Sequence, residues 1–300
     1  MELRSQNKIV VILGPTSSGK SDVAIRLAKQ FNGEIISADS RQVYRGMNLG
    51  TGKVTKNEQR IVKHWMLDII SPKTEYNVAK YKKTTKKVIQ DILERNKLPI
   101  ICGGTGFWIK AIIDDVDFPE VKPNKELRAK LEKLNAENLY KKLSKLDPVR
   151  AKNIDKHNKV RLIRAIEICK ELGVVPKVKN NRNNKYKFIQ IGIDIPQKKL
   201  HKNIEKRLAV RFKKGMIKEV ENLHFKTNVS WKKLEIFGLE YRYISQFLRA
   251  KLSKDEMKEK LFQESKSYAK RQMTWFRKDS RILWLKNYQA IKKSVQKFLK

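Results

Sequence analysis

Short apolar runs alternate with longer amphipathic stretches along the first third of the chain, and a polar, leucine-striped stretch follows them. Ile9–Leu13, Glu34–Ala38 and Leu98–Cys102 are continuous apolar runs rich in β-branched residues, the pattern of strands buried on both faces. His64–Ile69 reads as a further strand ended by Ser71-Pro72, and Phe188–Ile195 as a strand that returns to the sheet. Between them, Val23–Phe31, Asn77–Arg95 and Phe107–Ile113 predict helices. In Asn77–Arg95, the positions Val78, Tyr81, Thr85, Val88, Ile89 and Ile92 make one inner stripe. Strands alternating with helices predict a parallel sheet with right-handed crossovers.

From Asp117 the character changes. Residues 124–172 read as helical, polar and basic, with Leu127, Leu131, Leu134, Leu139, Leu143 and Leu146 in a narrow stripe that reads as core. A new helix starts at Asp147-Pro148 and a third opens at His157. Asn180–Lys185 predicts a polar loop, Leu200–Phe225 one basic helix, and the remainder is helical. The expected fold class is α/β, a P-loop NTPase-like parallel sheet flanked by helices with a helical insertion domain. Its expected parts are 1–116 (first part of the core), 117–187 (the insertion) and 188–300 (second part of the core with C-terminal helices).

Gly14-Pro15-Thr16-Ser17-Ser18-Gly19-Lys20-Ser21 lies between a strand and a helix, which separates a true P-loop from an ordinary glycine-rich turn. Glycines let successive N–H groups curl around a phosphate, and the helix N-terminus adds its dipole. Lys20 supplies a point charge, and Ser21 is placed to ligate Mg²⁺. In open α/β sheets the carboxyl ends of strands carry the site, so Asp39 after the second strand and Thr105 after Gly103-Gly104 belong beside that loop. The alternative for Asp39 is a helix N-cap.

The formal net charge of +38, from 69 Lys and Arg against 31 Asp and Glu, points to a polyanionic partner, nucleic acid before membrane. Heavy lysine use in an AT-rich genome is the competing explanation. The two cysteines, Cys102 and Cys169, are far apart, so neither a disulfide framework nor a zinc finger is supported. His64, His157, His201 and His224 show no ligand spacing. No apolar run approaches membrane-spanning length and no signal-peptide region opens the chain, so a cytoplasmic protein is expected.

Six segments resemble, in order, the tRNA dimethylallyltransferase family of bacterial type. They are GPTSSGKS, SADSRQVYRGMNLGTGK, PIICGGTGFWIKA, LDPVRA with VRLIRAIE, the helix with Arg207 and GMIKEVENL, and YAKRQMTWFR. The resemblance implies transfer of a dimethylallyl group from dimethylallyl diphosphate to N6 of adenosine 37, in tRNAs reading codons that begin with U. It implies a P-loop (Gly14 to Ser21) that holds the isoprenoid diphosphate rather than ATP, with Mg²⁺ as cofactor. It also implies an insertion that grips the anticodon stem-loop, and a monomeric enzyme. The family's general base falls on Asp39, its base-binding threonine on Thr105 and its diphosphate-contacting arginine on Arg207. Contacts to the target adenosine fall on Asp39, Ser40, Arg41 and Gln42, and further tRNA contacts on Arg128, Val160, Arg161, Leu162, Ile163 and Arg164. The chain has Val160 where the family usually has Gln. It reads Gly238-Leu239-Glu240-Tyr241 where the family has Gly-Tyr-Lys-Glu, so nothing is carried over there. The eukaryotic C-terminal zinc finger is not expected.

Three rivals compete with this reading: a P-loop kinase using Asp68 as its Walker-B acid, a non-catalytic RNA-binding protein, and an enzyme that prenylates free adenylate. Trp275 and Phe276 could stack on bases, but helix packing fits them better.

Overall fold

A computed structural model describes residues 7–176 and 185–300. Among the described residues, six strands form one parallel sheet: β1 (Lys8–Leu13), β2 (Gly33–Ser37), β3 (His64–Trp65), β4 (Leu98–Gly103), β5 (Lys187–Ile193) and β6 (Ile282–Leu285). Their spatial order is β3-β2-β4-β1-β5-β6. β1 is central, with Val10 opposite Ile100 of β4 and Ile189 of β5. The two-residue period of a strand sends Ile9, Val11 and Leu13 into one apolar layer and Val10 and Ile12 into the other. Both faces are therefore covered, as the unbroken apolar runs require.

Helices α1 (Lys20–Gln30), α2 (Lys56–Ile61), α3 (Val78–Glu94) and α4 (Gly106–Ile113) come first, followed by α5 (Lys125–Glu132), α6 (Ala136–Leu146), α7 (Pro148–Lys152) and α8 (Lys159–Leu172). After β5 come α9 (Gln197–Lys213), α10 (Met216–Phe225), α11 (Trp231–Phe237), α12 (Leu239–Leu248), α13 (Lys254–Phe276) and α14 (Tyr288–Leu299). The chain divides into two compact units: Met1–Asp115 with Arg182–Lys300, and Val116–Asn181.

Three local expectations change. Leu200–Phe225 is not one helix, because Gly215 at φ 92° takes the left-handed conformation between α9 and α10. The strand expected over His64–Ile69 stops at Trp65, since Met66 (φ 64°) and Asp68 (φ 55°) turn the chain out of the extended region. The C-terminal part is not wholly helical: β6 pairs with β5 as an edge strand. Residues 180–184 of the expected polar loop lie outside the described residues.

The second unit is a small helical body. Leu131, Leu139 and Leu143 of the leucine stripe are buried with Leu162, Ile163 and Ile166, so the stripe is core. Glu167, 2% exposed, lies beneath the surface of this unit. It accepts from Arg128 Nε (2.8 Å), Arg128 Nη2 (2.8 Å), Arg164 Nη1 (2.5 Å) and the Asn124 amide (2.7 Å). Burial would raise its carboxyl, but those donors hold it at about 2.

A second such cluster braces the sheet. Glu34 of β2, 1% exposed, accepts from Arg95 Nη1 (2.5 Å) and Nη2 (2.8 Å), Lys97 Nζ (2.9 Å) and Trp65 Nε1 (2.7 Å). The Arg95 hydrogen bonds, against the opposing effect of burial, hold its carboxyl at about 2. A depressed carboxylate pKa stabilises the fold above the ordinary glutamate value, and that stability drains as pH falls toward 2. Arg95 and Lys97 are about a third exposed, which discounts the contribution to roughly 1–3 kcal/mol. Urea unfolding from pH 7 down to pH 3 should show wild type losing its advantage over Glu34→Gln as the acid limit is approached. A gap that stays constant with pH would contradict this role.

Candidate active site

β1 delivers its chain at Leu13 into the glycine loop, and α1 leaves it at Lys20. Ser18 N donates to Pro15 O (3.3 Å), and Lys20 Nζ folds back onto the same carbonyl (3.1 Å). Burial lowers the Lys20 ammonium to about 8; Cys102 and Asp39 oppose that shift, and the guanidiniums of Arg207 and Arg211 add to it. Cys102 beneath the loop donates its thiol to Lys20 O (3.6 Å), and burial pushes that thiol up to about 11.

Two more strand ends converge here. Ala38 N donates to Cys102 O (2.8 Å), Thr105 N to Ala38 O (3.2 Å), and Ser40 N to Thr105 Oγ1 (3.2 Å). Asp39 sits inside this clip, between the ends of β2 and β4. Its Oδ1 accepts from Arg41 N (2.9 Å), closing an Asx-type turn, so the helix N-cap alternative is not what forms. Gln42 accepts from Ser37 Oγ (2.9 Å) and reaches Gly52 O (3.4 Å), and Arg41 Nη2 donates to Ile236 O (3.1 Å). Burial pushes the Tyr268 hydroxyl up to about 12, and the negative charges of Asp39 and Glu240 add to the effect.

The cationic wall comes from α9. Arg207 donates to Thr16 Oγ1 (3.3 Å) and Gly52 O (3.1 Å), and burial lowers its guanidinium to about 10, with Arg211 adding to the shift. Arg211, one turn on and 8% exposed, pairs with Glu240 (3.1 Å). Burial raises the Glu240 carboxyl while Arg211 opposes it. Gly52 (φ 59°) passes so close that a Cβ would lie 1.6 Å from Arg211 Nη2 and 1.9 Å from Arg207 Nη2. Only glycine fits there.

The loop is braced from α13. The Gln272 side chain, 7% exposed, accepts from Thr16 N (2.8 Å) and donates to Gly104 O (2.9 Å), tying the glycine loop to the turn that carries Thr105. This arrangement brings Lys20, Arg207, Arg211 and Asp39 close enough to act on one another's charge, with Thr105 clipped to the chain beside Asp39. It can hold a diphosphate and present a carboxylate to a second substrate.

The structure brings Gly14 to Ser21, Asp39 to Gln42, Thr105 and Arg207 into this one region. Arg128, Val160, Arg161, Leu162, Ile163 and Arg164 belong to the helical unit instead. Leu162 and Ile163, expected among the tRNA contacts, are 0% and 7% exposed in that unit's core, so they face its interior. Helical rotation leaves Val160 (78% exposed) and Arg161 at the surface, while Arg128 and Arg164 are engaged by Glu167. Asp68 is held by Lys53 (2.5 Å) beyond edge strand β3, with β2 and β4 between that strand and β1, which sets it apart from the glycine loop where a kinase acid would be wanted. Trp275 (42% exposed) packs over Gly106 and Phe276 is buried, in keeping with helix packing.

Sequence reasoning missed Arg211, Glu219, Glu240, Tyr241 and Gln272. A signal was present for two of them. The buried positions of α9 run Leu200, Ile204, Leu208, Arg211, and those of α13 include Leu261, Ser265, Ala269, Gln272, Phe276. A charged or amide side chain at a core-spaced position needs an internal partner.

The family model for IPP transferase matches residues 42–279. A protein of Thermoanaerobacter sp. (strain X514) named tRNA dimethylallyltransferase is 39% identical over 307 aligned residues, which cover 97% of each chain. One of the same name from Acetivibrio thermocellus is 40% identical over 287, covering 93% of this chain and 91% of its own. Among solved structures, the full-length tRNA isopentenylpyrophosphate transferase of Bacillus halodurans superposes with a TM-score of 0.72 at 32% identity, covering 98% of this chain and 95% of its own. A eukaryotic dimethylallyltransferase acting on tRNA gives a TM-score of 0.76 at 25% identity, over 90% of this chain and 69% of its own.

The lowered Lys20 value makes anion binding pH-dependent in a definite direction. A bound diphosphate favours the ammonium form, so affinity should be level below about 8 and fall above it, by up to about tenfold per unit. Calorimetric titration with an alkyl diphosphate, whose last proton is essentially gone by about pH 8, should show this decline between about pH 8 and 9.5, and Lys20→Ala should abolish it. A flat wild-type profile would place Lys20 away from the anion.

Proposed function

The chain belongs to the IPP transferase family, and from that premise we propose how its site transfers a dimethylallyl group from dimethylallyl diphosphate to N6 of adenosine 37 in tRNAs reading codons that begin with U. The product is N6-(dimethylallyl)adenosine, and diphosphate leaves. The observation that carries the reading is the clip of Thr105 across the ends of β2 and β4, which sets Asp39 beside the glycine loop.

The exocyclic amine of adenine is a poor nucleophile because its lone pair is delocalised into the ring. As N6 bonds to the allylic carbon and the carbon–oxygen bond to diphosphate breaks, the N6 proton passes to the Asp39 carboxylate. Positive charge grows on the allylic carbon and negative charge on the leaving diphosphate. Lys20, Arg207, the Thr16 hydroxyl and the uncommitted amides of the Gly14 to Ser21 loop stabilise that leaving group; the Thr16 N–H is held by Gln272, the Ser18 N–H by the Pro15 carbonyl, and Pro15 has none. Thr105, Ser40, Arg41 and Gln42 hold an adenine flipped out of the anticodon loop.

A divalent cation, Mg²⁺ in our reading, accompanies the diphosphate. Ser21 offers one hydroxyl at the start of α1, and among the described residues no group of three or more His, Cys, Asp or Glu is arranged as a cage. That donor set suits a hard cation that keeps several waters and binds through phosphate oxygens. Bound there, Mg²⁺ would neutralise charge on the leaving group. Among the described residues no helix is long and apolar enough to cross a membrane. We place the enzyme in the cytoplasm, where its tRNA substrate resides, and as a monomer, because one chain supplies every group named.

Mass spectrometry of tRNA nucleosides after incubation with dimethylallyl diphosphate and Mg²⁺ tests the activity directly; unmodified adenosine 37 would refute it. Asp39→Asn keeps shape and hydrogen bonding but removes the proton acceptor. Single-turnover kinetics should show a fall of roughly 10²- to 10⁴-fold with little change in donor affinity. A near-wild-type chemical step would remove Asp39 from the mechanism, and partial rescue by added Mg²⁺ would make it a metal ligand instead.

The helical unit's exposed Arg161 should contribute to RNA-backbone binding. Arg161→Gln should flatten the salt dependence of tRNA binding by about one unit of slope at most. An unchanged slope would leave compositional drift as the account of that residue's charge.

A further inference from the structure

The glycine-rich loop Gly46-Met47-Asn48-Leu49-Gly50-Thr51-Gly52-Lys53 supplies no reacting group to the chemistry above, yet side chains tether it at both ends. Glu219 of α10 lies under it. Glu219 Oε2 accepts from Asn48 N (2.9 Å) and Leu49 N (2.7 Å), and Oε1 accepts from Gly50 N (3.0 Å) and the Tyr241 hydroxyl (2.9 Å). Three consecutive backbone amides thus converge on one carboxylate, as they would on a bound anion. Lys53 closes the far end on Tyr44 O (3.0 Å), Asn48 Oδ1 (3.1 Å) and Asp68 Oδ1 (2.5 Å).

What the tethered loop presents is the Gly52 carbonyl. That oxygen accepts from Arg207 Nη2 (3.1 Å), while Arg207 Nη1 reaches Thr16 of the phosphate loop (3.3 Å). Arg207 would otherwise be driven away from Arg211, one helical turn along. Arg211 pairs directly with Glu240, whereas the hydrogen bonds of Arg207 to Thr16 Oγ1 and Gly52 O are to neutral oxygens, with Glu240 and Asp39 acting on it only through space. The same carbonyl also lies 3.4 Å from Gln42 Nε2.

We propose that Glu219 is a positioning residue for the transfer reaction: by gathering the amides of residues 48–50 it fixes the Gly52 carbonyl, and that carbonyl holds the Arg207 guanidinium toward the diphosphate. Glu219 itself touches neither substrate. The inference rests on the reading of Arg207 as a diphosphate ligand, and its test separates the two claims.

The readout is affinity for the dimethylallyl diphosphate analogue with sulfur in place of the bridging ester oxygen, measured without tRNA so that Gln42 does not contribute. Arg207→Ala should weaken binding by roughly 10- to 100-fold, the loss of a charge-assisted hydrogen bond. Glu219→Gln keeps the size but sets an NH₂ against the converging donors, and should weaken binding about fivefold. In the Arg207→Ala background, Glu219→Gln should bring no further loss, because the guanidinium that it positions is gone. Tyr241→Phe removes one of the four hydrogen bonds and should give a smaller loss of the same kind. It carries the test if Glu219→Gln fails to fold.

The proposal is overturned if folded Glu219→Gln, or Tyr241→Phe in its stead, binds the analogue like wild type. An equal loss in the Arg207→Ala background also overturns it, since the loop would then act on the fold at large. Unchanged binding by Arg207→Ala alone would remove the premise, and the positioning role with it, while leaving Asp39 and the transfer reaction to their own tests.

Discussion

Like charges held close together in a partly dry cleft are the constraint around which the site is built. Lys20, Arg207 and Arg211 converge where water screens them poorly; burial first, and the neighbouring guanidiniums after it, lower the values of Lys20 and Arg207. Each cation is given something short of full neutralisation. Lys20 rests on the Pro15 carbonyl, Arg207 on Thr16 Oγ1 and the Gly52 carbonyl, and Arg211 pairs directly with the Glu240 carboxylate. A cationic site of this kind favours a polyanionic ligand, which is the basis of the diphosphate reading proposed above.

The scaffold answers that repulsion with rigidity. Parallel pairing of β2, β4 and β1 brings three carboxyl ends level, so the glycine loop, Gly103-Gly104-Thr105 and Ala38-Asp39 face one another without long connections. The later helices then lock the loops from outside: α13 through Gln272, α10 through Glu219, and α9 through its two arginines. Donor-side and acceptor-side groups share these braces, because Gly52 meets both Arg207 and Gln42, and Gln272 meets both Thr16 and Gly104.

Charge in the helical unit divides into two kinds. Arg128 and Arg164 are committed to buried Glu167, so removing either partner would leave an unmatched group inside. Arg161 instead remains at the surface.

The sequence by itself determined the parallel sheet, the phosphate loop and the neighbours of Asp39 and Thr105, because these depend on local periodicity and on rules for strand ends. Continuous apolar runs specify strands covered on both faces, and Gly14 to Ser21 specifies its own turn. The break at Gly215 was weakly written, since a glycine in a helical pattern is tolerated as often as it ends one. Edge strand β6 was hidden because four residues carry too little periodicity. What only the tertiary structure decided was which distant side chains complete the site. Glu219 lies 169 to 171 positions from the amides it gathers, and Gln272 lies 256 from Thr16. Leu162 and Ile163 turn inward while Arg161 beside them stays outside. Such partnerships leave no trace in local spacing; they exist because buried polar groups must find partners, and only the folded chain determines which are within reach.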